Sequence, residues 1–102
     1  KVIKFDFDEL CNKNLGSEDY ISIANICNFI FIENLPNFND DNSNQQQRFI
    51  TLIDIIYEKK IPLMITSKVN LESISSSKSM KEPFKRTVSR LYELTSMNHN
   101  NL

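Results

Sequence analysis

The chain has 102 residues, a net charge of −1, one Gly, two Cys, one His and no Trp. That length suits one domain with a small core. One glycine cannot build a phosphate-cradling loop, and so few Cys and His cannot fill a four-ligand zinc site. A hydrolytic triad would have to use His99, which lies in a polar stretch, so the chain carries no complete catalytic apparatus.

Residues 2–7 alternate, with Val2, Lys4 and Asp6 opposing Ile3, Phe5 and Phe7, which predicts a strand. Strand alternation would leave Asp6 and Asp8 facing solvent. Ser17 reads as the N-cap of a helix, with Glu18 and Asp19 in its first turn and Tyr20, Ile23, Ala24 and Cys27 on one face. Residues 28–35 form a nearly continuous apolar run that Pro36 ends, so a buried strand is expected. Residues 37–47 are polar and read as an exposed connection. A helix then starts at Ser43 or Asn44 and runs to Lys60, with Phe49, Ile53, Ile56 and Tyr57 on one side. Residues 61–67 suggest a second buried strand. Residues 70–82 are serine-rich and read as a flexible connection. A last helix carries the stripe Phe84, Val88, Leu91, Tyr92 and Thr95, and residues 98–102 read as a frayed tail.

The order strand, helix, strand is long enough for parallel crossovers. The expected fold is therefore α/β: a small parallel sheet of two or three strands with helices on its faces. So few strands leave open edges, which points to a piece of a larger domain.

Charge divides unevenly. Residues 1–57 carry a net of −5 and residues 58–102 a net of +4. The two halves can complement each other within one molecule, or mark a surface for a charged partner. The acidic pI of about 5.8 argues against nucleic-acid binding. No stretch of 18 apolar residues exists to span a membrane. Cys11 and Cys27 sit in apolar surroundings and read as buried reduced thiols.

Arginine is scarce, with three against nine lysines. Arg86 and Arg90 are four apart on the last helix and share a face. Arg48 opens the long helix. A guanidinium donates bidentately to phosphate and stays charged, so these three are the candidates for a directed contact. The alternative is a solvated basic face with Glu93 as the partner of Arg90. Glu33, Thr66 and Ser67 end strands, where open parallel sheets often hold functional groups. No metal site is expected.

The landmarks resemble the C-terminal region of the ZapE-type P-loop ATPases and their mitochondrial relatives, the ATPase-family-gene-one proteins. The family's F-x-F-x-x-L-C is Phe5-Asp6-Phe7-Asp8-Glu9-Leu10-Cys11 here. Its L-G-x-x-D-Y-x-x-I-A runs from Leu15 and Gly16 through Asp19 and Tyr20 to Ile23 and Ala24. Leu35-Pro36 stands for an I-P. Arg48-Phe49-Ile50 through Asp54 to Tyr57 matches R-F-I-x-L-I-D-x-x-Y. Residues 84–96 match F-x-R-T-x-S-R-L-x-E-M-x-S, with Leu94 in place of the methionine. Gln47 replaces an arginine that the family tends to have before Arg48.

The resemblance implies an AAA-type ATPase that uses ATP and Mg, with its phosphate loop upstream of these residues. The chain itself would bind no cofactor and be inactive alone. It would pack with the remainder of the ATPase domain, and the intact protein would act on a protein substrate, as a homo-oligomer. A eukaryotic member would be mitochondrial. Arg48, Arg86 and Arg90 would then be nucleotide-sensing or interface candidates. The rival reading is a non-catalytic protein-interaction module.

Overall fold

A computed structural model describes the backbone of residues 1–100 and the side chains of residues 1–96. The tail expected over residues 98–102, His99 included, lies outside the fully described residues. Three strands, β1 (Val2–Asp6), β2 (Phe29–Leu35) and β3 (Leu63–Ser67), form one sheet in the order β1-β2-β3. Both pairings are parallel. Four helices, α1 (Phe7–Cys11), α2 (Ser17–Ile26), α3 (Ser43–Glu58) and α4 (Lys81–Asn100), complete the α/β fold.

The first strand is shorter than its alternation suggests. Asp6 ends it by accepting a hydrogen bond from the Asp8 amide, 3.0 Å, while Glu9 accepts from the Asp6 amide, 2.8 Å. This reciprocal capping turns the chain into α1 at Phe7. Asp8 is therefore an exposed helical residue, not a strand residue. The second helix is capped at Gly16, not Ser17, which is its first helical residue. Asp19 reaches back to accept from the Gly16 amide at 2.8 Å. The capping side chain lies inside the helix, so the cap position itself tolerates glycine.

The long helix starts at Ser43 and so takes residues 43–47 out of the polar connection. It stops at Glu58, before the two lysines. Lys60 has φ 53°, its amide donates to Tyr57 O, and the Ile61 amide donates to Ile56 O. This pair of bonds closes the helix end as a Schellman turn. Glycine usually holds that left-handed position, and a lysine there costs about 1 kcal/mol. Asn34 is the other non-glycine residue at positive φ, 64°.

Right-handed crossovers that step one way along a sheet place their helices on one face. Burial agrees. On the helix side Ile30, Ile32 and Leu63 are buried, and Ile3, Phe5 and Ile65 pack beside them. The opposite face carries Val2, Phe29, Phe31 and Met64, paired across the strands as Val2 with Phe29 and Phe31 with Met64. Val2 is 69% exposed and Met64 42%. This alternation explains why β2 is half open although its sequence reads as continuously apolar. Parallel sheets are ordinarily covered on both faces.

The core closes around four rings. Phe38 stacks against Phe7, Phe49 and Phe84 with centroids 5.3–5.9 Å apart. These rings join α1, the connection after β2, α3 and α4. On α4 the buried stripe is Phe84, Thr87, Leu91 and Leu94. It is rotated from the expected one: Val88 is half-buried and Tyr92 is 42% exposed. Thr87 fits inside because its hydroxyl donates to Pro83 O within the helix, 3.3 Å.

Residues 70–82 hold two 3-10 turns, Leu71–Ser73 and Lys78–Met80, and are fastened from several sides. The Ser75 amide donates to Asn37 Oδ1, 2.7 Å, and the Ser77 amide to Gln46 Oε1, 3.1 Å. Gln46 is buried and donates in turn to Ser76 Oγ, 2.7 Å.

Candidate functional site

The three arginines do not converge. Arg48 is half-buried on α3, and its Nη1 donates to Cys11 O at 3.2 Å, tying α3 to the end of α1. Arg90 reaches across to α3, where it pairs with the Asp54 carboxylate. Its guanidinium also lies 4.5 Å from the Tyr57 ring centroid. Its side chain is 24% exposed. Asp54 is therefore its partner, not Glu93, and Arg90 does not lie on a solvated face. Asp54 is 36 residues away in the chain, so no local rule pairs them. Arg86 is exposed and makes no ion pair or hydrogen bond with another described residue. Of the three guanidiniums, it alone is uncommitted within the described residues.

A second polar group forms at the carboxyl ends of the strands. Asn34 Nδ2 donates to Asp6 Oδ1 at 2.6 Å, and the Asn34 amide donates to Thr66 Oγ1 at 3.0 Å. One residue from each strand is thus linked. The hydrogen bond from Asn34 holds the Asp6 carboxyl below its ordinary pKa, helped by the Asp8 amide and by Lys68. The left-handed backbone at Asn34 presents both its amide and its side chain to neighbouring strands. Sequence reading missed Asn34, because only the strand register brings it beside Asp6. Glu33 points outward and pairs with Lys4 at 3.2 Å. Ser67 turns back on the Val69 backbone.

Cys11 and Cys27 are buried free thiols. Burial pushes the Cys11 thiol up to about 12, only partly offset by Arg48. Burial also raises Cys27. Tyr20, whose hydroxyl donates to Leu10 O at 2.6 Å, is raised as well, first by burial and then by Cys11. Both Cys11 and Tyr20 are neutral when protonated, so the folded chain keeps protons that the unfolded chain releases above its ordinary values of 9.0 and 10.0. The folded state binds more protons there, and stability falls as pH rises. The contribution of Cys11 is intact below pH 9.0 and is lost as pH climbs toward about 12. The urea midpoint is expected to drop between about pH 8 and about pH 10.5. An unchanged midpoint would contradict this burial.

Among the described residues no group of His, Cys, Asp and Glu is arranged to hold a metal. None of the described helices is long and apolar enough to cross a membrane.

Comparison with known proteins gives the family of the chain. The AFG1-like ATPase family matches residues 1–101. The cell division protein ZapE of Escherichia coli is 27% identical over 96 residues, covering 94% of this chain and 26% of that protein. Lactation elevated protein 1 homolog B of Danio rerio is 34% identical over 68 residues, 67% of this chain and 14% of that protein. The chain thus spans about a quarter of the length of ZapE and less of the fish protein. No solved structure matches significantly. A family match from the first residue almost to the last, over a three-stranded parallel α/β sheet, means that this chain belongs to the AFG1-like ATPase family.

Proposed function

We propose that these residues form the C-terminal part of an ATPase and bind no nucleotide alone. The phosphate loop would be supplied from elsewhere in the polypeptide, with ATP and Mg held there. The observation that carries this reading is the family match over residues 1–101 of a chain with a single glycine. The remainder of the ATPase domain would pack on the outer sheet face of Val2, Phe29, Phe31 and Met64; what supports this is that these apolar side chains are left exposed or half-buried.

In the intact protein, ATP hydrolysis would drive remodelling or quality control of a protein substrate, in a homo-oligomer. Arg86 is the arginine best placed to meet a phosphate or a neighbouring subunit, because it is exposed and unpaired among the described residues. The bonded Arg48 and Arg90 would act by holding the fold. The reading is tested by nucleotide binding, measured for this chain and for the full reading frame that carries it. A non-catalytic interaction module is the second reading, favoured by the uneven charge of the two halves. It requires that the reading frame lack a G-x-x-x-x-G-K-[ST] loop.

A further inference from the structure

A groove of about 480 Å³ runs between α4 and the segment before it. That size falls within the usual range of ligand clefts, roughly 300–1,000 Å³. Its floor is apolar: Leu71 and Ile74 on one side, Phe84 and Val88 on the other. Lys81, Phe84, Lys85 and Val88 recur at helical spacing, so one face of α4 forms a whole wall. The opposite wall is held in place by the bonds from Ser75 to Asn37 and Phe38, from Ser77 to Gln46, and from the Lys78 amide to Asp40. The groove is therefore preformed.

Its rim is strongly one-signed. Lys78, Lys81 and Lys85 border it, against Glu72 as the one acid in the lining. Lys85 shares its charge with Glu82 at 3.0 Å, an exposed pair of small worth. Lys78 and Lys81 make no ion pair with another described residue. An apolar floor inside a lysine rim matches a segment that presents apolar side chains flanked by carboxylates. No exposed aromatic lines it for stacking on bases, and its concave shape suits a chain better than a flat surface.

We infer that this groove docks a short acidic, amphipathic peptide segment of a partner protein. Leucine or phenylalanine anchors enter between Ile74 and Val88, and glutamates or aspartates meet Lys78 and Lys81. The docking is independent of nucleotide and of the ATPase reading.

The probe is a fluorescent peptide with leucines at helical spacing flanked by glutamates, followed by anisotropy. Saturable binding that weakens as salt rises is the expected result. The combined variant Lys78→Glu, Lys81→Glu, Lys85→Glu should bind about tenfold more weakly, since three rim attractions become repulsions. All three lysines are exposed, so the variant's thermal melt should match the parent's. A peptide with serines in place of the leucines should also lose binding. The inference is overturned by absent binding, by equal binding to the charge-reversed variant, or by equal binding of the serine peptide. Vesicles of anionic lipid that displace the peptide at the same lysines would overturn it in favour of a membrane surface.

Discussion

Replacing Phe49 with alanine is expected to lower the melting temperature by about 12 °C or more. Phe49 is fully buried, and its ring meets Phe7 and Phe38 at 5.9 Å. Phe38 in turn meets Phe84 edge-on at 5.3 Å. Removing the Phe49 ring therefore opens a void between α3, α1 and the connection after β2, beside the Phe38 ring on which Phe84 of α4 packs. Truncating a buried phenylalanine costs about 3–5 kcal/mol, a large share of the roughly 5–15 kcal/mol that holds a domain together. For a chain of this size each kcal/mol moves the midpoint by about 4–8 °C. Phe49→Leu retains most of the volume and should lose far less. A fall of under about 4 °C for Phe49→Ala would show that the rings do not close the core.

The second large effect separates two arginines that look alike in sequence. If the full-length protein hydrolyses ATP and Arg86 meets a phosphate as proposed, Arg86→Ala should lower its turnover at least tenfold, since an arginine meeting a transferring phosphate is worth about 10³–10⁵ in rate. Its melting temperature should hardly move, because an exposed residue without partners contributes within about 0.5 kcal/mol. Arg90→Ala should behave differently. It abandons Asp54, uncovers the Tyr57 ring and loses its own half-buried packing. A loss of about 1–2 kcal/mol is expected, read as a clear drop in melting temperature. Turnover and thermal melts of both variants decide the matter. An Arg86 variant with normal turnover, or with equal losses of stability and activity, would remove Arg86 from the nucleotide-linked role.

Much of the architecture was legible because it rests on local chemistry. The helical spacing of Phe49, Ile53 and Ile56 and the Ile-rich strand runs announced a parallel α/β unit, and the burial of both cysteines followed from their neighbours. The start of α1 was also written in the chain, as Asp6 and Glu9 three apart, but it was hidden behind an alternation that continued through Phe7. The face of α4 was misjudged because Thr87 looks polar, whereas its hydroxyl bonds within the helix and leaves its methyl for the core. The partner of Arg90 and the link from Asp6 through Asn34 to Thr66 were not legible at all. Each joins residues more than 25 positions apart and exists only once the register and the packing of α3 on α4 are set.

The lone glycine bears on this in two ways. Gly16 caps α2 with nothing within 4 Å of the space a Cβ would fill, so packing does not demand a glycine there. The left-handed turns fall instead to Asn34 and Lys60. The one glycine thus builds no phosphate loop in these residues, as the proposal that such a loop lies elsewhere in the polypeptide requires.

Titrating Mg-ATP into this chain and into the full reading frame that carries it, by isothermal calorimetry, tests that claim most directly. No heat of binding to the chain alone and saturable binding to the full protein is the expected pair of results. Measurable binding of Mg-ATP to the chain alone, or none to the full protein, would contradict it.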